Sequence, residues 1–422
     1  MFTSFSTALS ALNATSTAID VVGNNLANLN TPGFKTSQVC FRDLVTQSLG
    51  AGLGETQVGF GTGQPLTFRQ FTQGAVQTSS GLLDASIQGD GFFVLRDAAG
   101  NVQYTRAGNF QADKNGNMLT STGASVQGWT TLDSLTGEVN SNGPIGNIIV
   151  PVGSLKPPTT TTNFTMDLNL NSSAAVGATS AFSTPITVYD SLGSAHVLTL
   201  RFEKTGANQW SYQVSMAGDE VGGGTPGVPF DISGAGGSLN FDNLGQLTDP
   251  AAGSPIAIAI TGLADGAADM NINWDPYTAA GMGRITQFGQ PSAPSASSQN
   301  GSAAAQLVRV GLADGGRVLA QYSNGDQVVV GQLAMASIRN PDTLLAAGNN
   351  NFQLSARTAT PSIGAPGTGG RGQIVGGSIE ASTVDIAEEF TNLIVYQRGY
   401  EANSRVVSAA DQLSQTTINL IR

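Results

Sequence analysis

Residues 2–35 read FTSFSTALSALNATSTAIDVVGNNLANLNTPGFK, and this stretch decides the architecture. Phe2, Phe5, Leu9, Leu12, Ile19 and Leu26 recur on alternating three- and four-residue steps, with Ser16 and Gly23 at the missing positions. That spacing predicts an amphipathic helix with a stripe as narrow as a coiled-coil seam. Asn28, Asn30, Pro32 and Gly33 end it. Proline cannot continue the helix and restrains Thr31 before it, and glycine or asparagine tolerates left-handed backbone. An N-terminal core helix over 1–34 is expected.

The other end mirrors it. Ser382-Thr383-Val384-Asp385 reads as a helix start, with a serine cap and an acid at the positive end of the dipole. Leu393, Tyr396, Tyr400, Val407, Ala410 and Ile421 share an approximate seam, widened by Val406, Leu413 and Leu420. A C-terminal core helix is expected over 382–422. A helix of 35 residues spans about 50 Å, long for a compact domain. Two such helices should meet. One pair alone buries only narrow stripes, so further copies would complete the packing. The plainer reading is an intramolecular helical hairpin.

Between the helices the pattern changes to short strands and glycine turns. Residues 35–69 read as a linker or extended arm, with a hint of a short helix at Phe41, Leu44 and Val45 and a glycine-punctuated segment from 50 to 63. Residues 70–158 with 304–360 read as an inner β domain. Gly89-Asp90-Gly91 signals a hairpin leading into Phe92-Phe93-Val94-Leu95, where one phenylalanine should face the core and the other an interface. Asp113-Lys114-Asn115-Gly116-Asn117 looks superficially like a calcium loop but lacks the twelve-residue frame, so a hairpin turn is expected. Alternating strands from Asn163 to Trp274 make 159–290 an inserted outer β domain, bounded by Lys156-Pro157-Pro158 and by a bridge over 291–303. Residues 361–381 form a linker back to the terminal helix. The fold class is therefore multi-domain and mainly β, with nested β domains and long terminal helices forming a coiled-coil-like core.

Composition narrows the function. Charged residues are 11% of 422, against about 25% in ordinary soluble proteins, and 54 glycines with many hydroxyl and amide residues replace them. The net charge is −11 and the 18 Lys and Arg are scattered, so no basic track suits nucleic acid or an anionic membrane. Cys40 is the single cysteine and His196 the single histidine, which excludes an intrachain disulfide and a cysteine-ligated metal site. His196 lies in a strand-like run and is expected on its surface. No metal, cofactor or catalytic residue is expected: Asp84, Asp90, Asp97 and Asp113 are the nearest acidic group, and nothing in their spacing marks an acid/base pair. Residues 1–34 hold no Lys or Arg, so a conventional secretion signal is not expected. No apolar run is long enough to span a membrane.

Several segments carry a resemblance. Asn24-Asn25-Leu26-Ala27-Asn28 with Thr31-Pro32-Gly33-Phe34-Lys35 resembles the signature of rod and hook axial proteins of the bacterial flagellum. Ile379-Glu380-Ala381-Ser382-Thr383-Val384-Asp385 and Gln397-Arg398-Gly399-Tyr400-Glu401-Ala402-Asn403 look like that family's closing motif. Asp84 to Phe93 is similar to the first outer domain of hook and rod proteins, and Ile186 to Gly193 with His196 to a segment of the hook branch alone. The resemblance implies a structural, non-enzymatic subunit of the flagellar hook. Such subunits self-assemble into a curved, flexible tube that acts as a universal joint, passing motor torque from rod to filament. A distal rod or hook-associated protein is the alternative. Implied partners are many copies of the chain, the rod protein, the hook cap, the hook–filament junction protein and the type III export apparatus, with no nucleic acid or small-molecule substrate. Implied too is an extracellular place in the flagellum, reached without a cleaved signal peptide. The assembly interface would be Phe5, Leu9, Leu12, Ile19, Leu26, Leu393, Tyr400 and Val407. The family motif would fall on Asn24, Asn25, Leu26, Ala27, Asn28, Thr31, Pro32, Gly33, Phe34, Gln397, Arg398, Tyr400 and Asn403.

Overall fold

A computed structural model describes residues 2–44, 46–48, 57–133 and 138–420. Val45, residues 50–56 of the 50–63 segment and Ile421 lie outside the described residues, as do the side chains of Phe2 and Leu420. The chain is mainly β with two long helices, α1 (Phe2–Ala27) and α2 (Ile386–Leu420). It divides into two compact units, one of residues 1–152, 309–321 and 327–422, the other of 153–308 and 322–326.

In the first unit α1 and α2 pack against each other. Asn25 bonds Glu389, and Gly399 lies so near Thr15 that an added Cβ would sit 3.9 Å from its Cγ2. Between these points one helix steps back as far as the other advances, so the pair is antiparallel. The buried stripe of α1 is Ala8, Ala14, Thr15, Ala18, Val22 and Asn25. It lies beside the predicted seam, displaced by about one residue. Small side chains dominate it, and large residues next to them such as Phe5 and Leu9 stay exposed. Helix α1 ends at Ala27, short of the expected 34, where Asn28 turns its amide back to the Asn24 carbonyl at 2.9 Å. At the head of α2 the cap is Asp385 and not Ser382: its Oδ1 accepts the Ala387 amide at 2.8 Å and the Glu388 amide at 3.2 Å. Ser382 Oγ instead accepts the Val384 amide at 3.3 Å.

The hinted helix near Phe41 is absent among the described residues. Ser37–Cys40 is a strand paired antiparallel with Leu66–Arg69, and Asp43 bridges Thr62 further along the same ladder. Three apolar residues without a continuing helical period did not suffice against a pairing partner at matching distance.

The β part of this unit is built around Phe92–Arg96, which pairs with Val102–Thr105, Ser125–Trp129 and Met335–Ser337. Both faces of this strand are covered. Phe93 and Leu95 join a cluster with Phe110, Met118 and Ile148, while Phe92 and Val94 join Tyr104, Trp129 and Phe352. The expectation that one phenylalanine would be free for an interface therefore fails, because a sheet buried on both sides makes both positions core. Asn115-Gly116 is the tip of a turn, with Gly116 at φ 83° and Asp113 Oδ1 accepting the Asn115 and Asn117 amides.

The second unit is a sandwich of two sheets. One is the meander Phe182–Tyr189, Ala195–Gly206, Gln209–Ala217, Pro229–Phe241 and Leu247–Asp249. The other orders Ile256–Ile260, Met270–Asp275, Asn163–Asn171 and Ile285–Phe288, with Ala293–Gln299 also on Asn163–Asn171. Alternate residues point inward, and Trp274 fills the centre, stacked 5.9 Å from Phe164 and edge-on to Tyr212. His196, expected on the surface, is only 4% exposed. It shares the inward phase of Leu198, Leu200 and Phe202.

Candidate functional site

The two terminal motifs meet in the first unit. Thr31-Pro32-Gly33-Phe34-Lys35 leaves α1 through a tight turn, in which the Asn28 Oδ1 accepts the Thr31 hydroxyl at 3.0 Å. Gly33 adopts φ 67°, and a Cβ there would lie 2.6 Å from the Arg106 carbonyl carbon, so glycine alone fits. Its amide donates to the Glu380 carbonyl at 2.8 Å, and Thr383 returns its amide to the Phe34 carbonyl at 3.1 Å. The Thr36 and Thr383 hydroxyls lie 2.9 Å apart.

Beneath this backbone clasp lies a buried charge cluster. Glu380 ends the strand Ser378–Glu380, held by pairing with Val76–Thr78. Its Oε1 accepts from Lys35 Nζ at 2.6 Å and from the Gly74 amide at 2.8 Å, and its Oε2 faces Arg106 Nη1 at 3.3 Å. All three side chains are essentially inaccessible. Lys35 also donates to the Thr72 carbonyl, and Arg106 to the Gly89 carbonyl at 2.9 Å with its guanidinium over the Phe92 ring. Burial pulls the Lys35 ammonium below its ordinary range, while Glu380 works to keep it charged. Arg106 is shifted the same way for the same reasons.

A second clasp joins the helices. The Asn25 amide nitrogen donates to Ser37 O and to Glu389 Oε1, each at 2.8 Å, and its Oδ1 accepts the Ser37 amide at 3.1 Å. Burial pushes the Glu389 carboxyl up, with the Asn25 hydrogen bond opposing and Glu388 reinforcing. Asn25 is thus an element of the fold, satisfied on both ends of its amide.

The predicted motif residues separate into two groups. Asn25, Asn28, Thr31, Pro32, Gly33 and Phe34 build the clasp; Pro32 offers its carbonyl to Asn350 Nδ2 at 2.9 Å. Asn24, Ala27, Gln397, Arg398 and Tyr400 are exposed, Leu26 is half-buried, and Asn403 is half-buried with its amide on the Gly399 carbonyl of its own helix. The predicted interface residues form no closed core within one chain. Phe5 is 42% exposed, Leu9 46% and Tyr400 43%, while Leu12, Ile19, Leu26, Leu393 and Val407 are half-buried. Beside them on α2, Ile386, Phe390, Ile394, Val395, Val406 and Leu413 also face outward. Sequence reasoning held Lys35 and Glu380 inside the two motif stretches but did not join them to each other, and it missed Arg106 and Glu389. The available signal was their rarity: Lys35 is the first cation of the chain, and Glu380 lies in an otherwise uncharged run from 372 to 384.

None of this geometry brings a nucleophile and a base into an open cleft. Among the four carboxylates considered for acid/base work, Asp97 and Asp113 accept backbone amides in their own turns, and Asp84 accepts the Ser79 hydroxyl.

Comparison with known proteins gives the family. The flagella basal body rod protein model matches residues 5–35, and the flagellar hook protein FlgE/F/G D1 domain model matches 86–169. The flagellar basal body protein FlaE D2 domain model matches 175–302, and the flagellar basal body rod FlgEFG protein C-terminal model matches 375–420. The flagellar hook protein FlgE of Escherichia coli is 32% identical over 99% of this chain and 99% of its own length. That of Borreliella burgdorferi is 33% identical over the full length of both. The crystal structure of Helicobacter pylori flagellar hook protein FlgE2 shares the fold, with a TM-score of 0.52 at 14% identity over 71% of this chain and 99% of that one. With its terminal motifs clasped together and its whole length matched, this chain belongs to the flagellar hook protein FlgE family, whose members are structural subunits and not enzymes.

Proposed function

We propose that α1 and α2 of many copies pack side by side into the wall of a curved, flexible tube, with Phe5, Leu9, Leu12, Ile19, Leu26, Leu393, Tyr400 and Val407 at the contacts between copies. The observation that carries this reading is the division of the helix surfaces. Ala8, Ala14, Ala18 and Val22 of α1 are buried, and large apolar residues such as Phe5, Leu9, Phe390 and Ile394 are left exposed. Large apolar side chains left exposed along both helices mark an interaction surface. A contact that does not close on itself builds a helical polymer.

In this reading 1–34 and 382–422 are the core segments that carry α1 and α2, 70–158 with 304–360 an inner β domain, and 159–290 an inserted outer domain. Small uncharged polar surfaces on the outer domains suit a joint whose subunits slide, since breaking such a contact strands no buried ion. The tube transmits torque between rod and filament. Its ends would meet the rod protein, the hook cap and the junction protein, and the type III export apparatus would deliver the chain without a cleaved signal. Purified chain should sediment as polymer, and chain lacking residues 1–34 should stay soluble. Equal polymer yield from both would overturn the reading.

A further inference from the structure

In the second unit the sole histidine stands among three carboxylates from separate chain segments. His196 is at the start of Ala195–Gly206; Asp190 follows Phe182–Tyr189; Glu220 closes the 3-10 turn Gly218–Glu220; and Asp265 lies in the loop before Met270–Asp275. The segments are fastened to one another by backbone. Val221 bridges Leu263, Ala264 N donates to the Glu220 carbonyl at 2.9 Å, and Gly222 N to the Gly262 carbonyl at 2.7 Å.

Asp190 and Asp265 each commit one carboxylate oxygen to backbone amides. Asp190 Oδ1 accepts the Leu192 and Ser194 amides at 2.8 Å each, and Asp265 Oδ1 accepts the Ala267 amide at 3.0 Å. That leaves both Oδ2 atoms facing His196 Nε2, at 3.2 Å and 3.9 Å. On the other side of the ring, Nδ1 lies 2.7 Å from Glu220 Oε2. A proton on Nδ1 donated to Glu220 turns the Nε2 lone pair toward the two Oδ2 atoms. A carboxylate behind the imidazole in this way is the usual support of a metal-bound histidine. The three forward atoms lie within 4.8 Å of one another. A tetrahedral ion with bonds of about 2.0–2.1 Å separates its ligands by about 3.3–3.4 Å. Asp190 and His196 are buried, and Asp265 reaches the surface, which leaves a fourth position open to water. Among the described residues no lysine or arginine pairs with any of the three carboxylates. One imidazolium balances one of the three charges, and Glu220 and Asp265 are partly exposed.

We propose that His196 Nε2, Asp190 Oδ2 and Asp265 Oδ2 form a three-ligand site for a divalent first-row transition-metal ion, with Glu220 orienting the imidazole. Imidazole with carboxylate oxygens suits zinc and its neighbours, whereas calcium or magnesium would not use the histidine. The bound ion ties the 190–196 turn, the 218–222 turn and the 261–266 loop, so it acts as a staple at one end of the sandwich.

The test uses full-length chain freed of metal by a chelator, titrated with Zn2+ in a calorimeter and with Co2+ in a visible spectrometer. One ion per chain, with d–d absorption of a four-coordinate cobalt centre, is the expected result. His196→Gln and Asp265→Asn should each abolish it, and Glu220→Gln should weaken it by about 10–100-fold. Asp265 is on an exposed loop, so its variant keeps the test valid if His196→Gln fails to fold. Absence of binding overturns the proposal, as does binding unchanged in Asp265→Asn, which would mark general attraction of cations to an acidic chain.

Discussion

Lys35 Nζ lies 2.6 Å from Glu380 Oε1, two side chains 345 residues apart in the sequence and fully buried together. The pair joins the segment that leaves α1 to the segment that enters α2. Because Arg106 shares the same carboxylate, one anion holds two cations against the β part of the first unit. A long helix pair that works in a polymer needs a fixed exit direction relative to its domain. This cluster and the Gly33–Glu380 backbone bond supply it.

Removing the anion should be the most damaging single change at the clasp. Glu380→Gln leaves Lys35 and Arg106 buried without a carboxylate, and breaking a buried pair from one side costs about 3–5 kcal/mol. Lys35→Met leaves the Arg106–Glu380 pair and strands only the Thr72 carbonyl, a loss of about 1–3 kcal/mol. Thermal or urea unfolding of the two variants should rank them in that order. A larger loss for Lys35→Met would show that the ammonium, not the carboxylate, organises the cluster.

Gly33→Ala should destabilise the same unit by about 2 kcal/mol or more. The left-handed backbone at Gly33 disfavours any side chain by about 1–2 kcal/mol, and the new methyl would overlap the Arg106 carbonyl carbon. Ala at Gly123, also at positive φ but with open space around it, is the control. Calorimetric melting of the two variants separates backbone strain alone from strain plus collision.

The Asn25–Glu389 clasp should loosen as pH rises. Burial raises the Glu389 carboxyl above its unfolded value, with Glu388 adding to the shift and Asn25 opposing it; the phenol of Tyr396 lies in the same field. The folded state therefore binds the proton more tightly than the unfolded state. Its contribution to stability is full below the unfolded pKa and is lost as pH rises through the folded pKa. Glu389→Gln keeps a hydrogen-bond acceptor without the charge, so the variant should gain stability relative to the parent toward neutral pH and match it in acid. Melting temperatures of both chains across the mildly acid range measure this. A parent that gains on the variant with rising pH would reverse the sign.

Much of this architecture is legible in the sequence, and the parts that are not have physical causes. Periodicity locates both long helices, because a seam such as Leu9, Leu12, Ile19, Leu26 persists over many turns. It does not tell which stripe faces the partner helix. Ala8, Ala14 and Ala18 carry little hydropathy, yet they are among the buried residues of α1. Lys35 and Glu380 each stand out in an uncharged stretch, but nothing local joins them, since only the fold brings the two ends together. His196 was readable: counting back in steps of two from Phe202 and Leu200 places it inward, where a surface position was expected. At Phe92 and Phe93 alternation correctly puts the rings on opposite faces, but only the structure shows that both faces are covered.

The assembly reading makes a prediction that separates two faces of the same helices. Ile394 is 50% exposed on α2. Ile394→Asp places a carboxylate where water reaches it in the single chain, so helix content and melting of the monomer should change by less than about 0.5 kcal/mol. In the polymer that carboxylate would be packed against a neighbouring copy, must then find a cation or a proton, and recurs in every subunit. Arg398 lies one turn on and is exposed, so it can offset part of the charge but not the lost apolar surface. Polymer yield in sedimentation should therefore collapse with the monomer intact. Ala18→Leu should do the opposite in order of cause: Ala18 is fully buried, so the larger side chain overpacks its site and costs about 1–3 kcal/mol in the monomer before assembly is attempted. Leu393, half-buried between these situations, should show both effects when changed to Asp. Normal polymer yield from Ile394→Asp, with the monomer unchanged, would return the terminal helices to a plain intramolecular hairpin and place the assembly contact elsewhere on the chain.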